Sequence, residues 1–208
     1  MLTNVRASLA IIAATGYVVG SVPLANLVAR RHGVADLREV GDHNPGYWNA
    51  RETIGVRAAA PVFVGDLAKG AIGAAVGAGV RRATGGPWWS SSFGGGAALV
   101  GHAFPACDGA RGGRSVLAFV GTSIVAAPRV SALALCTFGV IWSGTGRFDR
   151  AAQVGVAAFP FIQLAVDGPR RTAMTGVLMS FVGLRFATAS LTPRRGDPAT
   201  PERASPVR

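Results

Sequence analysis

The chain alternates between long apolar runs and short arginine-bearing stretches, on the length scale of membrane-spanning helices. Residues 7–29 carry no formal charge over 23 positions and are closed by Arg30 and Arg31. At 1.5 Å rise per residue, about 20 apolar residues cross a hydrocarbon core roughly 30 Å thick. The run therefore predicts a first span. Its length, and the apolar runs that follow, argue against a cleaved leader despite Arg6 in front of it. Residues 58–80 predict a second span, interrupted only by Asp66 and Lys69. A turn bearing Trp88 and Trp89 then leads into a short third helix, expected from Ser92 to Pro105.

Four further uncharged runs, 115–128, 130–146, 151–166 and 172–184, fall short of the usual 20 residues. Flanking arginines that snorkel, or a locally thinned bilayer, let such runs cross. The expectation is an all-α protein. Residues 1–192 form an integral membrane bundle of about seven transmembrane helices with two glycine-rich cytoplasmic loops. The segment 193–208, rich in Pro, Arg, Ala, Ser and Thr, reads as a disordered cytoplasmic tail.

Composition agrees with this picture. Of 208 residues, 50% are hydrophobic and only 15% charged, against about 25% charged in soluble domains. A formal net charge of +11 first suggests nucleic acid. However, the arginines stand singly or in pairs between apolar runs, which is the distribution of a multispan membrane protein. The lipid bilayer is the expected partner, and nucleic acid is not. With residues 30–57 on one side and the loops alternating, that side holds thirteen cationic residues against six, and Lys69 and Arg185 fall inside spans. The positive-inside bias makes that side cytoplasmic, with the N-terminus outside and the C-terminus inside. Cys107 and Cys136 have no ligand-like spacing and read as buried packing thiols, so neither a metal nor a cofactor is expected.

The two oddest loops fall on one face. The first runs Gly41-Asp42-His43-Asn44-Pro45-Gly46-Tyr47-Trp48-Asn49, followed by Arg51 and Glu52. The second runs Gly101-His102-Ala103-Phe104-Pro105, then Arg111-Gly112-Gly113-Arg114. Glycines let backbone N–H groups converge on an anion, and two arginines three apart add bidentate positive charge suited to phosphate. Plain loops tied down by interfacial arginines are the alternative. Asp66 and Lys69 are three apart and share a helix face. A carboxylate at that depth must face the bundle interior with a partner. The pair is either a structural ion pair, or it anchors the loop 41–52 or positions the substrate from below.

Gly20-Ser21-Val22-Pro23, the loop 41–49, Asp66-x-x-Lys69-Gly70 and Gly101-His102-x-Phe104-Pro105 with Arg111–Arg114 stand in a fixed order. Together, over residues 16–118, they resemble the bacterial acyl-phosphate:glycerol-3-phosphate acyltransferases, the PlsY family. The resemblance implies a seven-helix enzyme of the bacterial cell (inner) membrane with a cytoplasmic site. It would move a fatty acyl group from acyl phosphate to the 1-hydroxyl of glycerol 3-phosphate, giving lysophosphatidate for phospholipid biosynthesis. Carried over by position, the candidate catalytic residues are His102, Arg114 and Asn49. Candidate substrate-binding residues are Ser21, Asn44, Gly46, Arg51, Lys69, Arg111, Gly112 and Gly113.

The acyl donor is already activated, so orientation and charge stabilisation are the main needs. No Ser-His-Asp nucleophile is visible. The His-x4-Asp motif of the other glycerolipid acyltransferase class is also missing, because Cys107 stands five after His102 and Asp108 one further. The chain departs from the family loop at Asp42 for Ser, His43 for Gly, Trp48 for Thr and Glu52 for Arg. Arg114 stands for Lys and Ser115 for Gly, and the family's C-terminal His and Asn have no counterpart around residues 184–195. The departures leave open another polar acceptor, or a catalytically degenerate relative that binds lipid or partner proteins. A small transporter, suggested by the intramembrane charges, lacks a visible inverted repeat.

Overall fold

The computed structural model describes residues 2–191, and the expected tail lies outside them. They form α1 (Leu2–Gly20), α2 (Leu24–Arg31), a 3-10 turn (Leu37–Glu39), α3 (Tyr47–Ile54), α4 (Val56–Thr84), α5 (Ser90–Ala103), α6 (Val116–Ala126), α7 (Pro128–Thr145), α8 (Phe148–Asp167) and α9 (Pro169–Leu191). By length and composition, Val5–Arg31, Val56–Thr84 and Pro169–Ala189 qualify as membrane crossings, and Val116–Ala126 is a shorter apolar helix. Large apolar side chains stand exposed along several helices, among them Val64, Val140 and Phe161. So much outward apolar surface suits lipid rather than water.

The first apolar run is two helices, not one. Pro23 has no N–H to continue the ladder, and the chain turns at Ser21–Pro23 with Leu24 N donating to Val22 O at 2.8 Å. A second difference lies in the loop 41–52, whose last part is helical. Gly46 is extended at the N-cap of α3, and Gly55, at φ 90°, ends that helix. Together α2, the 3-10 turn and α3 form a cap on the first turns of α4. Its core is Ala25, Val28, Ala29, Leu37, Ala50, Ala59 and Val62.

Below the cap, α1, α4, α5 and α6 pack almost backbone to backbone. A Cβ on Gly20 would lie 2.2 Å from the Ala98 carbonyl oxygen, and one on Gly70 only 1.8 Å from that of Ala118. Lipid tails are as apolar as leucine, so membrane helices gain by close van der Waals contact, which small residues permit. Gly16 with Gly20 and Gly73 with Gly77 supply that spacing on α1 and α4. The helices α7–α9 flank this kernel through a side-chain cluster that includes Phe119, Val130, Phe159 and Leu178. Cys107 and Cys136 are both exposed rather than packed inside. Cys107 stands in the polar loop after α5 and Cys136 on the outer face of α7, where no inner layer covers them.

Candidate active site

The floor of the site is a charged cluster in the kernel. Lys69 Nζ donates to Asp66 Oδ1 at 2.9 Å, with both side chains almost fully buried. His102, at the end of α5, brings Nδ1 to 3.4 Å from Lys69 Nζ and 3.5 Å from Asp66 Oδ1. The i,i+3 spacing on α4 puts carboxylate and ammonium on one face. Small residues around them let α5 approach closely enough to add the imidazole. Removing either charge would leave the other buried with only the His102 imidazole beside it and no opposite charge, the costly case for such pairs.

The cap is fastened above this floor by polar side chains. Asn26 on α2 accepts from Leu37 N at 3.1 Å and donates to Asp108 at 3.3 Å. Arg38 pairs with Asp36 at 2.6 Å and Asp108 at 3.0 Å, and also donates to the carbonyls of Asp108 and Arg111. Burial alone would raise the Asp36 carboxyl, but the hydrogen bonds and charge of Arg38 overcome it and hold Asp36 below its ordinary value. Hydrogen bonding to Asp36 in turn raises the Arg38 guanidinium.

Asn49 is fully buried, and its amide nitrogen donates to the carbonyls of Leu37, Val40 and Asn44. It ties the first loop to α3. Asn44 and Gly46 form the turn that starts α3, with Gly46 N donating to Asn44 O at 2.8 Å. Arg51 points away from this turn and lies over the exposed Trp48 ring, 4.8 Å from its centroid.

The second loop folds back under the first. Gly112 N donates to Ala103 O and Gly113 N to His102 O. A Cβ at Gly113 would come 2.5 Å from His102 Nε2 and 3.3 Å from Pro45 O, so glycine is required for the two loops to meet over the imidazole. Arg114 donates to Asp42 Oδ2 at 2.8 Å. From α9, Arg185 donates to Gly112 O at 3.1 Å and lies 4.7 Å over the Phe104 ring.

Two departures from the family pattern fall on left-handed backbone. His43 has φ 59° and Ser115 φ 63°, a conformation that disfavours any side chain by roughly 1–2 kcal/mol. Each is held by its own contact: His43 Nδ1 to Arg38 O at 2.9 Å, and Ser115 Oγ to Leu99 O at 2.9 Å.

One pocket of about 260 Å³, counting its open mouth, joins these parts. Of the sequence candidates, Lys69, His102, Gly112 and Gly113 line it, together with the turn at Val22–Asn26, Pro45 and Asp108. Ser21 sits at its edge, buried, its hydroxyl donating to Tyr17 O. Asn44, Gly46, Asn49, Arg51, Arg111 and Arg114 are outside the lining. Sequence reasoning missed Asn26, Arg38, Asp108 and Arg185. The signal was present for two of them: Asn26 is a lone amide in an apolar run, and Arg185 is a lone cation in a span, which by default marks a functional place. Among the described residues no three His, Cys, Asp or Glu side chains converge as metal ligands would.

Fold and site together define an integral membrane protein with a polar, glycine-framed pocket at one end of its helix kernel, lined by Lys69, His102 and Asp108. Residues 10–190 match the family described as glycerol-3-phosphate acyltransferase. The chain is 32% identical over 180 residues to a glycerol-3-phosphate acyltransferase of Agrobacterium fabrum, covering 85% of this chain and 83% of that one. It is 36% identical over 154 residues to the enzyme of that name from Rubrobacter xylanophilus, covering 74% and 75%. Its fold matches the crystal structure of PlsY (YgiH), an integral membrane glycerol 3-phosphate acyltransferase, in the glycerol 3-phosphate form. That match has a TM-score of 0.74 at 24% identity over 88% of this chain and 90% of that one. The lysophosphatidic acid form gives 0.70 at 22% identity over 90% and 93%. The chain belongs to the glycerol-3-phosphate acyltransferase family.

Proposed function

We propose that this chain transfers a fatty acyl group from acyl phosphate to the 1-hydroxyl of glycerol 3-phosphate at the cytoplasmic face of the bacterial inner membrane. Family membership supplies the reaction class. The observation that carries the reading is the pocket whose floor is Lys69 and His102 and whose roof is Gly112 and Gly113. In this reaction the acceptor hydroxyl attacks the acyl carbonyl, the bond from that carbon to the phosphate oxygen breaks, and phosphate leaves with the hydroxyl proton. Lys69 offers positive charge where oxyanion character develops. His102 stands where it can orient the hydroxyl, with Asp66 fixing both. Ser21, Asn44, Gly46 and Asn49 shape the acceptor side. Arg51, Arg111 and Arg114 supply outer cationic charge.

The purified chain in lipid nanodiscs, given acyl phosphate and glycerol 3-phosphate, is expected to release phosphate and form lysophosphatidate. His102→Ala should lower the rate by about a hundredfold, the order of loss expected when a reacting group is no longer held in place. A silent wild-type protein would overturn the reading. It would favour instead the relative that binds lipid without turnover, for which the Asp42 carboxylate on Arg114 is the supporting observation. Orientation is tested through exposed Cys107 in a Cys136→Ser background. A membrane-impermeant thiol reagent should label it in inside-out vesicles and not in intact cells.

A further inference from the structure

Of all described side chains, Arg114 combines charge and unmet hydrogen-bonding capacity most unusually. One of its terminal nitrogens holds Asp42, while its Nε is buried and has no hydrogen-bond partner. Its guanidinium also lies 4.9 Å over the Phe186 ring. Next to Phe186 on α9, Arg185 donates to the carbonyls of Gly112 and Gly113 and lies over the Phe104 ring. Two guanidiniums thus stand at the Gly112–Arg114 segment, and one of them, that of Arg114, holds the Asp42 carboxylate. Asp108, the carboxylate of the second loop, is taken up by Arg38 and Asn26.

The carboxylate is presented deliberately by the backbone. Asp42 stands between Gly41 at φ 60° and His43 at φ 59°, so two left-handed residues curl the loop around it. Its Oδ1 accepts from Asn44 N at 3.1 Å, which aims Oδ2 at Arg114. The pair is partly open, with side chains 25% and 31% exposed. Such half-exposed pairs are weak. A phosphate dianion carries more charge and accepts along the fork geometry of arginine, so it can replace a single carboxylate oxygen there.

We propose that Asp42 is an internal occupant of a phosphate position at Arg114, displaced when a phosphorylated substrate binds, and so sets the affinity of the site for phosphate. This rests on the acyltransferase reading. Displacement needs only that Oδ2 swing to solvent, since Asp42 already reaches the surface. Arg185 keeps the Gly112–Gly113 backbone in place during the exchange and adds the second positive charge.

The test uses full-length protein in nanodiscs, with Asp42→Asn, Asp42→Ser and the charge-keeping Asp42→Glu. Inorganic phosphate is the binding probe, followed by calorimetry, and KM for glycerol 3-phosphate is measured in parallel. Both neutral variants are expected to bind phosphate about three- to tenfold more tightly, with the gain appearing in KM rather than in kcat. Asp42→Glu should stay near wild type. Unchanged or weaker phosphate binding in both neutral variants would overturn the proposal. So would loss of turnover with an unphosphorylated polyol acceptor in the same variants, since Asp42 would then be recognising a hydroxyl. Tighter phosphate binding without turnover in any variant would leave Asp42 in its place and sink the acyltransferase reading alone.

Discussion

The kernel of α1, α4, α5 and α6 and the flank of α7, α8 and α9 are both helical and both apolar, yet they are built on different principles. In the kernel, glycines bring backbones together, and the approach of His102 to the buried Asp66–Lys69 pair and the pocket depend on that closeness. In the flank, Gly139, Gly144, Gly176 and Gly183 meet nothing within 4 Å. Contact there is through rings such as Phe119–Phe159 and through the neutral pair Thr175–Gln163. From the flank, Arg185 reaches the backbone of the Gly112–Gly113 loop. A charged site inside a membrane protein needs neighbours that cannot shift, and backbone-to-backbone packing provides them. The flank only has to cover.

The largest difference between the halves should appear when a buried polar partner is removed. Lys69→Met leaves Asp66, 2% exposed, without its ammonium, and breaking such a pair costs about 3–5 kcal/mol. Thr175→Val leaves Gln163 unpaired in the flank, where an orphaned neutral group costs about 1–3 kcal/mol. Unfolding in detergent should rank the two in that order. Adding Asp66→Asn to Lys69→Met should recover more than half of the loss in stability and none of the activity. If the two single variants were equally destabilised, the kernel pair would be an ordinary contact and the contrast would fail.

Helical class, the apolar runs and the ordered motifs were legible in the sequence because each depends on local pattern. Span two was read within a few residues, and Asp66 with Lys69 was read as an interior pair. The first span was read as one helix, although Pro23 was quoted in the motif, because an uncharged run says nothing about a break at its polar edge. The helix at Tyr47–Ile54 was hidden by the glycine-rich stretch before it. Asp42 was read only as a departure from the family loop. The structure instead gives it Arg114, because a loop's charge cannot be assessed until the loop beside it is known. Asn49 was read as a site residue from its motif, and its amide is spent on three carbonyls. Residues that join distant segments, Arg38 to Asp108 and Arg185 to Gly112, leave no periodic trace.

The same comparison can be sharpened with a single methyl group. Alanine at Gly70 would drive Cβ into the Ala118 carbonyl oxygen of α6, where only helix displacement relieves it. Overpacking of this kind costs about 1–3 kcal/mol. Alanine at Gly139 enters open space and gains helix propensity, so it should leave stability unchanged or raise it by about 1 kcal/mol at most. Residual helicity after heating in nanodiscs checks both. A Gly70→Ala protein as stable as wild type would show that α4 and α6 can slide apart, and the rigid-kernel argument would fall.

The smallest effect separates the halves by acid. Asp36 has its carboxyl held below the ordinary value, because Arg38 outweighs the effect of burial. A depressed folded value means that the unfolded chain binds the proton first as pH falls. The stabilisation is therefore complete above the ordinary carboxylate value of about 4, and is lost as pH drops through the folded one. Arg38 stays charged throughout, so the carboxylate alone decides the sign. Arg38 N donates to Asp36 Oδ1 at 2.8 Å, which makes that amide the reporter. Hydrogen exchange, corrected for its intrinsic pH dependence, should show the Arg38 amide losing protection below about pH 4. Amides within α8 and α9 should hold theirs, and Asp36→Asn should remove the dependence. Equal loss in cap and flank would mean that acid loosens the whole bundle, and the fastening of the cap over the kernel would have to lie elsewhere than in Arg38.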